Sequence, residues 1–257
     1  MALRFWQRRA VPPPAQRLYA IGDVHGRLDL LIAMVEAIKA DVLARSPAST
    51  NVIVLGDFID RGPDSARAVD LLMRLRVEPR VVVLKGNHEA AMVDALAGDF
   101  HALDLWLAHG GLATLASYGV DTAVLDLDDT AQLLRVAREA VPAEVRRWME
   151  QLPSYAAFGR YYFVHAGINP GVPLDQQTDA SRLWITDAFT ASDEDHGAIV
   201  VHGHSINEDG VVIAANRIGV DTGAYRTGRL SAVGLQDGEV WIITATAPPH
   251  PLAAAAA

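Results

Sequence analysis

Five short polar segments hold the residues of this chain that could do chemistry. They are Gly22-Asp23-Val24-His25-Gly26, Gly56-Asp57-Phe58-Ile59-Asp60-Arg61-Gly62, Gly86-Asn87-His88-Glu89, His165 in Val164-His165-Ala166-Gly167, and His204 in His202-Gly203-His204. Each follows an apolar run, so a buried strand would deliver an Asp, Asn or His at its end. The flanking glycines let the backbone turn sharply there. A core does not bury carboxylates and imidazoles side by side without a compensating charge, and divalent cations would supply it. Asp23 and His25, at alternate positions, can point at one ion. Asp57 is the natural bridge, because a carboxylate can hold two cations with its two oxygens. Asn87, His165 and His204 can complete the second ion. Two ions about 3.5–4 Å apart lower the pKa of a bridging water and hold a phosphate for in-line attack. The oxygen and nitrogen donor set suits Mn²⁺ first, with Fe or Zn as alternatives, and the imidazoles argue against Ca²⁺.

Those ends need a sheet to carry them. Arg17 to Ile21, Asn51 to Leu55 and Arg80 to Leu84 read as strands, separated by helices over Leu28 to Arg45 and Ser65 to Leu75. Three β-then-α units in series imply a mostly parallel sheet with right-handed crossovers. Such sheets place ligands outside the carboxyl ends of their strands. From Glu89 to Leu152 the pattern is helical, broken at Gly98, Gly110-Gly111 and Gly119. Strands return over Tyr161–Val164, Ile199–Val201, Ile218–Val220, Leu230–Leu235 and Val240–Thr244, with Asp237-Gly238 as a hairpin turn.

The 257 residues suffice for one sizeable domain, expected over 17–246. Residues 1–16, with Pro12-Pro13-Pro14, read as a flexible lead-in, and 247–257 as a disordered tail. With 22 Lys plus Arg against 31 Asp plus Glu, the net charge is −9. An acidic chain without a basic tract is a poor nucleic-acid binder. The chain has no cysteine, which excludes thiolate metal sites and a cysteine nucleophile. No apolar stretch is long enough for a secretory leader or a membrane span, and a cytoplasmic protein is expected.

The ordered set GDVHG, GDFIDRG, GNHE, HAG and GH resembles the phosphoprotein phosphatase family of calcineurin-like metallophosphoesterases, and more narrowly its bacterial serine/threonine phosphatases. The likeness covers roughly residues 17 to 246. It implies an α-β-β-α sandwich of mixed sheets, with βαβ units in the N-terminal half and antiparallel strands in the C-terminal half. It implies two divalent metal ions on Asp23, His25, Asp57, Asn87, His165 and His204, and a metal-bridging hydroxide as nucleophile. His88 would be the general acid, Asp60 its orienting partner and Arg61 a phosphate clamp. Substrate would also meet Asn87. Glu89 would support its loop, and His202 would be structural. The family's second phosphate-binding arginine is expected near Leu183-Trp184, where this chain has Thr186. Either that clamp is missing, or Arg182 or Arg226 replaces it. Asp221 is either a partner of a metal-bound histidine or a turn residue. Trp106, in Trp106-Leu107-Ala108-His109-Gly110-Gly111, is expected in the core and His109 at the rim. The expected substrate is a phosphoserine or phosphothreonine protein or a small phosphate ester. The rival reading is a symmetrical bis(5'-nucleosyl)-tetraphosphatase, whose Ile-Thr-x-Ala-Phe-Thr segment matches Ile185 to Thr190. Glu89 and the short span between His165 and His204 favour the phosphatase.

Overall fold

The computed structural model describes residues 16–78 and 80–248. The expected lead-in and tail lie almost wholly outside them. Where they overlap, Gln16 is already paired with Ser49, and the Ala247 N–H donates to Gly228 O at 2.9 Å.

Two five-stranded mixed sheets face each other. The first contains β1 (Gln16–Ile21), β2 (Ser49–Val54), β3 (Val81–Val83), β9 (Arg229–Gln236) and β10 (Glu239–Thr246), in the order β10-β9-β1-β2-β3. β1, β2 and β3 run parallel, and β9 and β10 add an antiparallel hairpin beside β1. The second contains β4 (Tyr155–Phe158), β5 (Tyr161–Val164), β6 (Ile199–His202), β7 (Val212–Ile213) and β8 (Arg217–Gly219), in the order β4-β5-β6-β8-β7. The C-terminal half is therefore not purely antiparallel, since β5, β6 and β8 pair in parallel.

Side-chain alternation along each strand builds the layers. Leu18 and Ala20 of β1 meet Tyr161 and Phe163 of β5 between the sheets. Tyr19 and Ile21 turn to the other face and pack under helices α1 (Leu28–Ala44), α2 (Ser65–Leu75) and α3 (Asn87–Ala97). On the outer face of the second sheet, Tyr162, Val164 and Val200 are covered by Ile168 and Phe189. Both faces of the central strands are buried, which is why they read as unbroken apolar runs. The Asp237-Gly238 turn has positive φ at both residues, 49° and 83°, as a two-residue hairpin of matching twist requires. Among the described residues no helix is long and apolar enough to cross a membrane.

Candidate active site

The loops leaving β1, β2 and β3 of one sheet and β5, β6 and β8 of the other meet at one edge. They bring Asp23, His25, Asp57, Asn87, His88, His165 and Asp221 together, all buried, with His204 half-buried. The backbone is bent to do this. Among the described residues outside glycine, six have positive φ, and five are here: His25 (45°), Asp57 (47°), Asp60 (71°), Arg61 (65°) and His204 (61°). Left-handed geometry in such residues persists only where surrounding structure enforces it. Part of that enforcement is close approach: a Cβ on Gly86 would overlap the Asp57 carboxylate, and one on Gly203 the Asp23 carboxylate.

Asp57 stands at the centre. Its Oδ2 lies 3.7 Å from His25 Nε2 and 3.7 Å from His88 Nε2, and its Oδ1 lies 3.4 Å from His165 Nε2. Two groups with metal-ligand spacing share it: His25, Asp57 and His88 on one side, and Asp57, His165 and His204 on the other. Burial pushes the Asp57 carboxyl up, but the surrounding imidazoles of His165, His88, His25 and His204 outweigh it and hold the group well below the usual carboxylate range. Asn87 Oδ1 faces His165 Nε2 at 2.8 Å and His204 Nδ1 at 3.0 Å. Asp23 is placed differently from its expected partners. Its carboxylate accepts the His204 N–H at 3.0 Å and lies beside Asp221, and it joins neither group.

The donor set fits a pair of divalent cations. His25 Nδ1 donates to Ile59 O at 2.9 Å and His165 Nδ1 to Leu55 O at 2.9 Å, so a neutral ring at either position presents its Nε2 lone pair inward. His165 Nε2, Asn87 Oδ1 and Asp57 Oδ1 then turn lone pairs toward one another. That is unfavourable unless positive charge sits between them. Burial, followed by the nearby Asp221 and Asp57 carboxylates, pushes Asp23 well above its ordinary value. Burial and Asp57 push Asp221 up to about 6, and its buried Oδ2 has no hydrogen-bond donor. Burial and the His165 ring lower His204 to about 4.

His88 and Asp60 form a tight pair, with Nδ1 donating to Oδ2 at 2.6 Å. Burial draws the His88 pKa down, but the Asp57 and Asp60 carboxylates outweigh it and raise the net value. Asp60 is itself fixed: its Oδ1 accepts from Trp106 Nε1 at 3.0 Å and Thr114 Oγ1 at 2.6 Å. The Arg61 guanidinium spans the two imidazoles, 3.1 Å from His25 Nε2 and 3.0 Å from His88 Nε2. Its Cζ lies 4.7 Å from the centre of the Tyr225 ring, which also meets His25 edge-on. Glu89 touches no ligand position. Its two oxygens accept the N–H groups of Asp57, Phe58, Ile59 and Gly86 at 2.8–3.3 Å, which supports the loop as expected. His202 is buried against Phe189 and bonded to Gly203 O, a packing position.

Each expected arginine replacement, Arg182 and Arg226, has its guanidinium in an ion pair of its own. Arg182 lies on a short helix, Asp179–Trp184, and its guanidinium donates to Tyr162 Oη at 2.9 Å and Asp179 Oδ1 at 3.2 Å beneath the Tyr155 ring. Burial against the outer face of the second sheet with three partners keeps it there. Arg226 is exposed and paired with Glu208 at 2.7 Å. Sequence reasoning misses Thr114 and Tyr225 and assigns Trp106 packing alone. Trp106 does both: it is fully buried and uses its ring N–H to hold Asp60. The WLAHGG segment is the only signal pointing toward it.

The profile of the family described as Calcineurin-like phosphoesterase matches residues 16–230. Serine/threonine-protein phosphatase 2 of Escherichia coli is 30% identical over 84% of this chain and 91% of its own length. A symmetrical bis(5'-nucleosyl)-tetraphosphatase of Dechloromonas aromatica is 29% identical over 64% of this chain, which spans about half, 48%, of that relative. Among solved structures, one provisionally assigned as a diadenosine tetraphosphatase superposes with a TM-score of 0.61 at 22% identity, covering 93% of this chain and 98% of that one. That likeness is one of fold.

Proposed function

The chain belongs to the calcineurin-like phosphoesterase family, and within it we propose a cytoplasmic phosphatase that removes phosphate from phosphoserine or phosphothreonine proteins or small phosphate esters. The observation that carries this reading is the Asp57 carboxylate shared by two sets of imidazoles, beside an acid–carboxylate pair and a guanidinium. With His88 kept free as the acid and the Asp23 carboxylate drawn in from its contact with the His204 N–H, Asp23, His25 and Asp57 would hold one divalent ion, and Asp57, Asn87, His165 and His204 the other, with Mn²⁺ as the metal we favour. When bound, the pair supplies an activated water and positive charge for the phosphate oxygens. The chain's own residues do the rest. Arg61, donor-only and already aimed between His25 and His88, clamps phosphate oxygens with its planar fork. His88, its Nδ1–H on Asp60, gives the Nε2 proton to the departing ester oxygen. Trp106 and Thr114 hold Asp60 so that this ring keeps one orientation. Arg61 is the single clamp in this reading, and Tyr225 is the surface it rests on.

The near-full-length match to a protein phosphatase supports this substrate class over the nucleotide relative, of which the chain covers half. The test is to strip the protein with chelator, restore Mn²⁺, and assay a phosphopeptide, an aryl phosphate and a dinucleoside tetraphosphate in parallel. Recovery on the first two is expected. Turnover of the dinucleotide alone overturns the proposal.

A further inference from the structure

One imidazole beside the proposed acid has no part in the scheme above. Helix Phe100–Trp106 runs into a wide π-type turn over Leu107–Gly111, where His109 (φ −99°) and Gly110 (φ 109°) leave helical geometry. The turn is locked to the phosphate-binding loop. Gly110 O accepts the Arg61 N–H at 3.3 Å, and a Cβ on Gly110 would come within 2.9 Å of Arg61 Cγ. Bulges of this kind sacrifice regular helical bonding and gather at functional sites. His109 is exposed, so packing does not require an imidazole there. Its ring centre lies 6.3 Å from that of His88 at 81°, beside the group that would protonate the leaving oxygen. Its Nδ1 sits 2.7 Å from Leu105 O. A carbonyl only accepts, so Nδ1 carries a proton, and in that tautomer Nε2 is an acceptor facing away from its own helix.

The geometry points to His109 as a substrate-contact residue whose Nε2 accepts a hydrogen bond from a backbone amide flanking the phosphorylated residue of a peptide. This rests on the phosphatase reading. An acceptor at that place matches a peptide N–H. It does not match the additional phosphates of a polyphosphate, which offer mainly acceptors themselves. A single neutral hydrogen bond is worth about three- to tenfold in selectivity.

The experiment uses the Mn²⁺-loaded full chain and three probes: a phosphoserine peptide, the same peptide N-methylated at the two amides flanking the phosphoserine, and an aryl phosphate. In His109→Ala the ratio of peptide to aryl phosphate kcat/KM falls about three- to tenfold, with the change in the peptide KM. N-methylation lowers the ratio by a similar factor in the parent protein and adds nothing further in the variant. Additive effects, a ratio that the substitution does not move, or a larger loss on a dinucleoside tetraphosphate than on the peptide overturns the assignment. The aryl phosphate arm separates the two claims. If the parent protein turns over no phosphomonoester, the phosphatase reading itself fails and this inference falls with it.

Discussion

His88 is gripped from both sides, by the Asp60 carboxylate at Nδ1 and by the Arg61 guanidinium at Nε2. The two act in opposite directions. Arg61 favours the neutral ring, while Asp60 and Asp57 favour the charged one and prevail even against burial. A raised pKa keeps this ring, the proposed acid, protonated further into neutral pH. Asp60→Asn removes one of the two carboxylates responsible. The falling basic limb of kcat against pH then moves to lower pH, and kcat on an alkyl phosphate drops on the order of 10²-fold. An aryl phosphate, whose leaving group needs less protonation, loses less. Equal losses on both substrates, with no movement of the basic limb, would mean that Asp60 only props up the loop.

At the level of elements, α3 begins on residues that belong to the site: Asn87 and His88 occupy its first turn, and Glu89 reaches back to the loop after β2. Burial and the neighbouring Asp57 push Glu89 up to about 8, against four N–H donors that favour its ionised form. Truncation leaves those buried donors unsatisfied. Glu89→Ala should therefore cost at least about 3 kcal/mol in urea unfolding; a loss below about 1 kcal/mol would show that water replaces the carboxylate. The strand–helix alternation over 17–84 is legible in sequence because buried parallel strands are unbroken β-branched runs and the helices between them are long enough to show their period. β7, of two residues, and the four-residue helix Ala224–Thr227 are too short for any period to register, and β4, Tyr155-Ala156-Ala157-Phe158, has no β-branched residue to mark it as a strand. The site divides in the same way. Asp57 and His165 stand out because chemistry restricts which residues can end a buried strand. Thr114, Tyr225 and the polar role of Trp106 depend on how helices lie over a loop, and the fate of Arg182 depends on Tyr162 and Asp179 across a sheet face. Residue type and spacing do not carry that information.

Taken as a whole, the molecule gathers its site from both sheets. Asp23, His25, Asp57 and Asn87 come from the first, and His165, His204 and Asp221 from the second. Asp23, Asp221 and Glu89 all have pKa values raised chiefly by burial. Without cations, the folded protein keeps protons on these groups that the unfolded chain has released above about pH 4–5. These groups make stability fall as pH rises through their folded values, but His25, His165, His202 and His204, lowered chiefly by burial, make it rise up to the ordinary histidine range, about 6.5, so the net fall is confined to about pH 7 to 8. A cation at Asp23 would replace its proton and by its charge draw off those of the neighbouring carboxyls, so cation binding should tighten as pH rises. The difference in Tm between Mn²⁺-loaded and chelator-treated protein should widen steadily over that range, whereas a constant difference would contradict the burial argument. The shared Asp57 also has a kinetic meaning. A metal pair held by residues of both sheets would be a rivet through the sandwich, closing loops as long as the one from Asp23 to His204, a separation of 181 positions. Removing it opens a seam as well as silencing a reaction. Chelated protein should be digested by a nonspecific protease markedly faster than loaded protein, with early cuts in the strand-end loops rather than at the outer edges of the sheets.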